Sequence, residues 1–372
     1  MSDFKTPYFL IDENKILHNL KILKSVSAQS GCKILLAQKA FSMYYAYPLL
    51  AEYLDGTTAS GLYEARLGFT CFGKETHVFS PAYREDEFSE LLKYADTLVF
   101  NTPNQVRKFG SQAKEQGKFI ALRINPECST QTGRDMYDPC GFASRLGTTV
   151  ANFDVDLLPL LDGLHLHTLC EQNADDLETT VQGMEEKFGT YLKAMKWLNL
   201  GGGHHITRED YDISRLLRII KYLQERYELQ VYLEPGEAVV LNAGFLHTTV
   251  LEIMNNQMEI AILDTSAACH MPDVIEMPYQ PPLQNSGKAG TLPYTYRLGG
   301  MTCLAGDIIG DYGFQAPLKI GDELIFADMA LYTMVKTNTF NGMPLPAILW
   351  KNIDGKIVTV KLFDYEDFKG RL

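Results

Sequence analysis

Short apolar runs alternate with longer amphipathic stretches through the first two-thirds of the chain. Between the runs, apolar residues recur at helical spacing, as at Phe88, Leu91, Leu92 and Ala95. Eight such strand–helix units favour an α/β fold with a (β/α)8 TIM-like barrel over a doubly wound sheet. The runs that predict the strands are Cys32 to Gln38, Gly56 to Ser60, Thr76 to Ser80, Thr97 to Asn101, Phe119 to Asn125, Leu161 to Thr168, Trp197 to Gly201 and Gln230 to Glu234.

The pattern changes from about Phe245, where strand-like runs are separated by Gly- and Pro-rich turns. This part predicts an all-β, sandwich- or barrel-like domain, which Thr6 to Ile11 is expected to join. The domain boundaries are therefore placed at 12–244 for the barrel and at 1–11 plus 245–372 for the β domain. The runs concerned are Thr248 to Ile253, Glu259 to Leu263, Glu323 to Phe326 and Lys356 to Val360.

Four polar motifs fall where predicted barrel strands end. They are Lys39, the pair His165 and His167, the triplet Gly201 to Gly203, and Glu234. The carboxyl ends of barrel strands carry the active site in this fold. A lysine buried there has a lowered pKa and becomes a nucleophile, and glycine amides can approach a phosphate closely. Together the motifs predict a cofactor that carries an aldehyde and a phosphate.

Each motif also has an ordinary explanation. Lys39 alone could be a surface lysine, and the glycines alone could form a simple turn. His165 lies one layer deeper than His167, so we expect a hydrogen-bonded core histidine there. The neighbouring His204 and His205 are expected to be solvated loop residues. No metal site is predicted, because a third ligand at suitable spacing is missing.

The combined pattern resembles the fold-type III pyridoxal-phosphate decarboxylases, the alanine-racemase-like group, over essentially the whole chain. It is most similar to the branch that acts on carboxynorspermidine and carboxyspermidine. The resemblance implies pyridoxal 5'-phosphate as cofactor and a homodimer with shared active sites. It assigns Lys39 as the Schiff-base lysine, His167 as the ring-stacking histidine, Gly201, Gly202, Gly203 and Tyr332 as phosphate ligands, Glu234 as the acid at the pyridine nitrogen, Cys303 and Asp307 as the catalytic cysteine motif, and Arg123 as a barrel arginine near the cofactor.

Departures from the common family pattern bear on the substrate. Glu237 stands where an arginine is usual, and Leu304 stands where ornithine-type enzymes carry an aspartate. Both changes disfavour a short diamino acid and favour a longer, cationic, carboxylated polyamine. Glu237 and Asp273 are the expected partners of its ammonium groups, and Asp307 is also expected to bind the substrate. Leu169 and Cys170 replace a glycine and a serine, which weakens the usual phosphate contacts there.

Composition narrows the setting of this chemistry. The charge of -12 argues against a nucleic-acid partner, and no apolar run is long enough to span a membrane. Seven cysteines without paired spacing, and an N-terminal stretch without a signal pattern, predict a cytoplasmic protein. Three alternatives stay open: a diaminopimelate, ornithine or arginine decarboxylase of the same fold, an amino-acid racemase, and a regulatory homologue without the cofactor.

Overall fold

The computed structural model describes residues 4–131 and 138–372, which form two compact units. One unit is His18–Val239, and the other combines the described residues up to Leu17 with Val240–Leu372. The first elements are strand β1 (Tyr8–Asp12) and helix α1 (Glu13–Ser30). None of the described helices is both long and apolar enough to cross a bilayer.

Eight parallel strands close into a barrel in the first unit. Each strand pairs with the next along the chain, and pairing of Lys33 with Tyr232 closes the ring. All eight predicted strands are confirmed: seven are somewhat shorter than the predicted run, and the strand at Glu75–Phe79 is shifted by one residue. The strands are β2 (Lys33–Ala37), β3 (Gly56–Ala59), β4 (Glu75–Phe79), β5 (Thr97–Phe100), β6 (Phe119–Arg123), β7 (Gly163–His165), β8 (Trp197–Asn199) and β9 (Gln230–Leu233).

Helices follow most of the barrel strands and bury one apolar face. Helix α7, for example, buries Leu216, Ile219, Ile220 and Leu223, the residues whose spacing predicts it. The helices are α2 (Tyr47–Tyr53), α3 (Leu62–Leu67) with a π-helical turn at Gly68–Phe72, α4 (Glu85–Leu91), α5 (Pro103–Glu115), α6 (Ala174–Leu192), α7 (Ile213–Tyr227) and α8 (Glu237–Val240).

Large side chains fill the barrel interior and leave no room for a side chain at Gly163, the first residue of β7. Trp197 and Tyr232 pack there with Leu35 and Val99. A Cβ on Gly163 would lie 2.2 Å from the indole Cδ2 of Trp197.

We therefore expect Gly163→Ala to lower the free energy of unfolding by about 1–3 kcal/mol, as overpacking of a core does. Urea denaturation measures the change. Gly61→Ala is the matched control, because a Cβ at Gly61 meets nothing within 4 Å. Equal free energies of unfolding for the two variants would show that the residues around Trp197 can shift to accept the extra Cβ without loss of stability.

The second unit is a nine-stranded mixed sheet in the order β12-β14-β13-β11-β10-β1-β16-β17, with β15 paired to β10. The predicted participation of the N-terminal strand is confirmed: β1 lies antiparallel to β10 and parallel to β16. The strands are β10 (Gly244–Asn255), β11 (Glu259–Leu263), β12 (Gly287–Lys288), β13 (Tyr294–Gly299), β14 (Ile308–Phe314), β15 (Glu323–Ala327), β16 (Ala347–Lys351) and β17 (Ile357–Lys361). Short helices α9 (Ala267–His270), α10 (Asp273–Glu276) and α11 (Tyr365–Lys369) accompany it, which the β pattern did not predict.

Candidate active site

One cavity of about 250 Å³ opens where the barrel strands end. Lys39 follows β2, Arg123 ends β6, His165 ends β7, and Glu234 follows β9, and all of them line this cavity together with His167. The parallel strands bring these residues together, because their carboxyl ends share one side of the barrel.

Lys39 projects into the cavity and so keeps accessible surface, although protein atoms surround it closely. This burial lowers the pKa of the amine, and the positive charge of Arg123 lowers it further. The carboxylates of Glu234 and Glu237 oppose the shift without reversing it. A lowered pKa leaves more of the amine unprotonated near neutral pH, which is the state that attacks an aldehyde.

Glu234 is a buried carboxylate that stays ionised. Asn199 Nδ2 donates to its Oε1 at 2.7 Å, and His165 Nε2 lies 3.2 Å from its Oε2. Burial alone would raise the pKa of this carboxyl, but His165, His77 and Asn199 stabilise the anion and hold the pKa near about 2. Burial also lowers the pKa of His165, and a neutral ring can still donate from Nε2. His165 thus positions Glu234, a more specific role than the core residue we expected.

His167 presents a neutral ring to the cavity. Burial, followed by the charges of Lys39 and Arg123, lowers its pKa well below the usual value. The Gly202 amide donates to its Nδ1 at 3.4 Å, which fits an unprotonated nitrogen there. Arg123 Nη2 donates to the His167 carbonyl at 3.1 Å and lies over the Phe79 ring. The flat face of His167 is therefore held in one orientation.

Close packing of the surrounding backbone requires glycine in the triplet, whether or not a ligand is bound. Gly201 and Gly203 have φ of +70° and +81°, and a Cβ on Gly203 would lie 2.1 Å from the Leu169 carbonyl oxygen. The Gly201 amide donates to Asn199 Oδ1 at 2.8 Å, so it is already used inside the protein. Among the described residues, no acceptor pairs with the Gly203 amide, and this group remains for a phosphate oxygen.

Cys303, Asp307 and Tyr332 belong to the sheet unit. Cys303 is exposed, and its amide donates to Asn341 Oδ1 at 2.6 Å. Asp307 is buried and accepts hydrogen bonds from Ser266 Oγ at 3.0 Å and from Thr302 Oγ1 at 2.6 Å. These bonds shape the cysteine loop, and substrate contact by Asp307 stays a prediction. Tyr332 is half-buried with φ of +50°.

The two expected substrate carboxylates already have partners within their own units. Glu237 Oε2 lies 3.2 Å from His205 Nε2. Asp273 contacts the ammonium of Lys336, which also lies 2.6 Å from Glu276 Oε2. An ammonium therefore fits against Asp273, and a substrate would have to replace or join that of Lys336.

Our expectation for the two adjacent histidines was wrong. His204 is fully buried, with Nε2 3.2 Å from the Leu200 carbonyl oxygen, and His205 is held by Glu237. The reason given against a metal also changes, because His165, His167 and Glu234 offer ligand atoms within 4.8 Å of one another. The guanidinium groups of Arg123 and Arg145 line the same cavity, and their positive charges disfavour a metal ion there.

Sequence reasoning missed Asn199, Phe79 and Arg145. Asn199 and Phe79 lie inside apolar strand runs, and only the pairing of β7 with β8 places Asn199 beside His165. Arg145 lies outside the predicted strands and belongs to no recognisable motif, so nothing in the sequence pointed to it.

These residues fit pyridoxal phosphate. An amine of lowered pKa, a buried carboxylate of pKa about 2 and a neutral imidazole share one cavity. A Cβ on Gly202 would meet the Glu234 carbonyl oxygen at 2.6 Å, so only glycine fits between this backbone and the cavity residues. Lys39 would hold the aldehyde carbon, Glu234 the ring nitrogen, His167 the ring face, and the Gly203 amide the phosphate.

Comparisons with known proteins identify the family of the chain. A family model described as a pyridoxal-dependent decarboxylase, C-terminal sheet domain, matches residues 11–330. A carboxynorspermidine/carboxyspermidine decarboxylase of Campylobacter jejuni is 42% identical, covering 99% of this chain and 98% of the relative. A carboxyaminopropylagmatine decarboxylase of Synechocystis is 40% identical, covering 100% and 96%. The crystal structure of the Campylobacter jejuni carboxynorspermidine decarboxylase in complex with norspermidine matches with a TM-score of 0.92, 40% identity and coverage of 99% and 100%.

Proposed function

Because the chain belongs to the pyridoxal-dependent decarboxylases, we propose that it converts carboxynorspermidine or carboxyspermidine to norspermidine or spermidine. The observation that carries this proposal is the Lys39 amine and the anchored Glu234 carboxylate in one cavity. The full-length similarity to a decarboxylase of these two substrates supports the choice of substrate. The seven cysteines form no disulfide within the described residues, which supports a cytoplasmic location.

The residues divide the work as follows. Lys39 would hold the cofactor through its amine and release it to the substrate α-amine. Glu234 would keep a proton on the ring nitrogen, and the bound cofactor would supply the electron sink needed when the carbon–carbon bond to the carboxylate breaks. Cys303 of a second copy delivers the proton that replaces the carboxylate at the α-carbon. One carbon dioxide leaves and one proton is consumed, so atoms and charge balance.

Carboxyaminopropylagmatine is the second candidate substrate, because the Synechocystis relative is similar over the whole chain. The candidate substrates share a carboxylated aminopropyl end. They differ at the far end, which is an amine or a guanidine. Ornithine and diaminopimelate fit less well, since Leu304 offers no carboxylate and Glu237 would repel a second substrate carboxylate.

Carbon dioxide release tests the proposal on the three carboxylated polyamines beside ornithine, arginine and meso-diaminopimelate. We expect kcat/KM for one of the two carboxylated triamines to exceed that for the short amino acids by about 100-fold or more, as two charge-assisted contacts allow. Preference for ornithine or diaminopimelate would overturn the assignment. Preference for the agmatine derivative would select the second candidate. Racemisation without gas release would indicate a racemase, and protein that binds no pyridoxal phosphate would indicate a regulator.

Lys336→Met tests whether a substrate ammonium uses Asp273. Removal of the competing ammonium should lower KM for the carboxylated triamine by about twofold to fivefold, the range of a partly exposed ion pair. A gain in apparent affinity cannot arise from misfolding. Lys351→Met is the matched control. It removes another lysine of the same unit, 3.0 Å from Asp12, and so changes the net charge by the same amount. If KM rises in Lys336→Met alone, Lys336 organises the site and does not compete.

A further inference from the structure

We propose that His205 is a positioning residue that aims the Glu237 carboxylate at an ammonium group of the substrate. His205 Nε2 lies 3.2 Å from Glu237 Oε2, and each side chain is only 13% exposed. This inference rests on the proposed function, in which Glu237 pairs with a cationic polyamine.

The backbone of His205 is fixed on both sides. Its amide donates to the Gln172 carbonyl at 3.2 Å, and its carbonyl accepts from the Arg208 amide at 2.9 Å. Gln172 in turn donates to the Gly203 carbonyl at 3.0 Å and, through its side chain, to Thr130 Oγ1 at 2.8 Å. The imidazole therefore starts from an anchored loop and can hold a carboxylate in one orientation.

His204 does not share this role. Its Nε2 lies 3.2 Å from the Leu200 carbonyl oxygen, and its side chain is buried within the loop itself. Burial lowers the pKa of His204 to about 4, so it adds no charge near neutral pH. Only the second histidine of the pair turns toward Glu237.

One oxygen of the Glu237 carboxylate, Oε1, is not used by His205. Within the part of the chain that the structure describes, His205 is the single side chain paired with this carboxylate, through Oε2. Glu237 begins α8 directly after the loop that carries Glu234, and its negative charge acts on Lys39. A substrate whose α-amine reaches the Lys39 position has its secondary ammonium only three bonds from the α-carbon. Oε1 of Glu237 is therefore suited to that ammonium, and His205 keeps it turned there.

Kinetics of His205→Ala and His205→Gln test the proposal with the intact holoenzyme. We expect His205→Ala to raise KM for the carboxylated triamine by about tenfold, the effect of losing one hydrogen bond to a charged group, with kcat within about twofold. Glutamine can place an amide nitrogen near the Nε2 position, so His205→Gln should restore most of the loss. Combined with Glu237→Gln, His205→Ala should add nothing further, because the residue it positions is already neutral.

Two measurements separate this role from others. Titration with pyridoxal phosphate, followed by absorbance, should give the same dissociation constant for wild type and His205→Ala. His247→Ala is the control, since it removes another histidine–carboxylate pair, that with Glu323 at 2.6 Å, and should leave KM unchanged.

The outcomes are distinct. If the wild type releases no carbon dioxide from any carboxylated polyamine, the proposed function and this inference fall together. If the wild type is active but His205→Ala leaves KM unchanged, or adds to Glu237→Gln, only the positioning role is refuted. If His205→Ala weakens cofactor binding and not KM, the pair serves the cofactor phosphate and the inference is wrong.

Discussion

Replacement of Lys39 by alanine is expected to lower kcat by about 10⁴-fold, because the variant loses the amine that holds the cofactor in place for the substrate. The structure gives the physical reason: burial and Arg123 lower the pKa of this amine, so it reacts unprotonated. Arginine at position 39 should not rescue activity, since its guanidinium stays charged. Carbon dioxide release measures the loss, and added propylamine should restore part of it.

Reduction with borohydride gives a second measurement that does not depend on turnover. Peptide mapping should find reduced pyridoxyl phosphate on Lys39 in wild type and none in the alanine variant. Lys33→Ala is the matched control, because Lys33 begins the same strand β2 and the Glu75 carboxylate raises its pKa despite partial burial. Label on any other lysine of the wild type would remove the basis of the proposed function.

Replacement of Glu234 by glutamine is expected to lower kcat by about 100- to 1,000-fold, the size of a lost, preorganised charge. The amide has the same shape but cannot hold a proton on the ring nitrogen. It would also place a donor opposite Asn199 Nδ2, which now donates to Oε1 at 2.7 Å. The absorbance spectrum of the bound cofactor should change with the protonation of its ring.

Glu75→Gln is the control for this variant. Glu75 also has a pKa lowered to about 2, held there by His77 and Lys33 against its burial, but it begins β4 at the opposite ends of the strands. We expect its loss to lower stability and to leave kcat within about threefold. Equal loss of kcat in both variants would mean that Glu234 acts through stability and not through the ring nitrogen.

The barrel could be predicted from the sequence because its signal is local. Each buried strand is a short apolar run, and each helix shows one apolar face. The sheet unit was harder: β14 contains Gly310, Asp311 and Gly313, which interrupt the alternation that indicates a strand. The parallel pairing of β16 with β1 joins the two ends of the chain, and no local pattern predicts such a distant partner.

Some residues of the site could likewise be predicted from the sequence, and others could not. Lys39, His167 and Glu234 carry signals of their own, since polar residues at the ends of apolar runs are unusual. Asn199 and His205 carry none. The register of β7 against β8 and the position of Glu237 after β9 give them their roles, and neither can be read from the spacing of residues along the chain.

The place of β1 in the sheet has a consequence for synthesis on the ribosome. This strand emerges early, yet Tyr8 pairs with His247 and Ala347, which are made after the whole barrel. All pairs of the barrel lie within residues 33–233, so the cylinder can close while β1 still waits for a neighbour. Nascent chains arrested just after β9 has left the ribosomal exit tunnel should thus resist protease across the barrel and remain cleavable at β1.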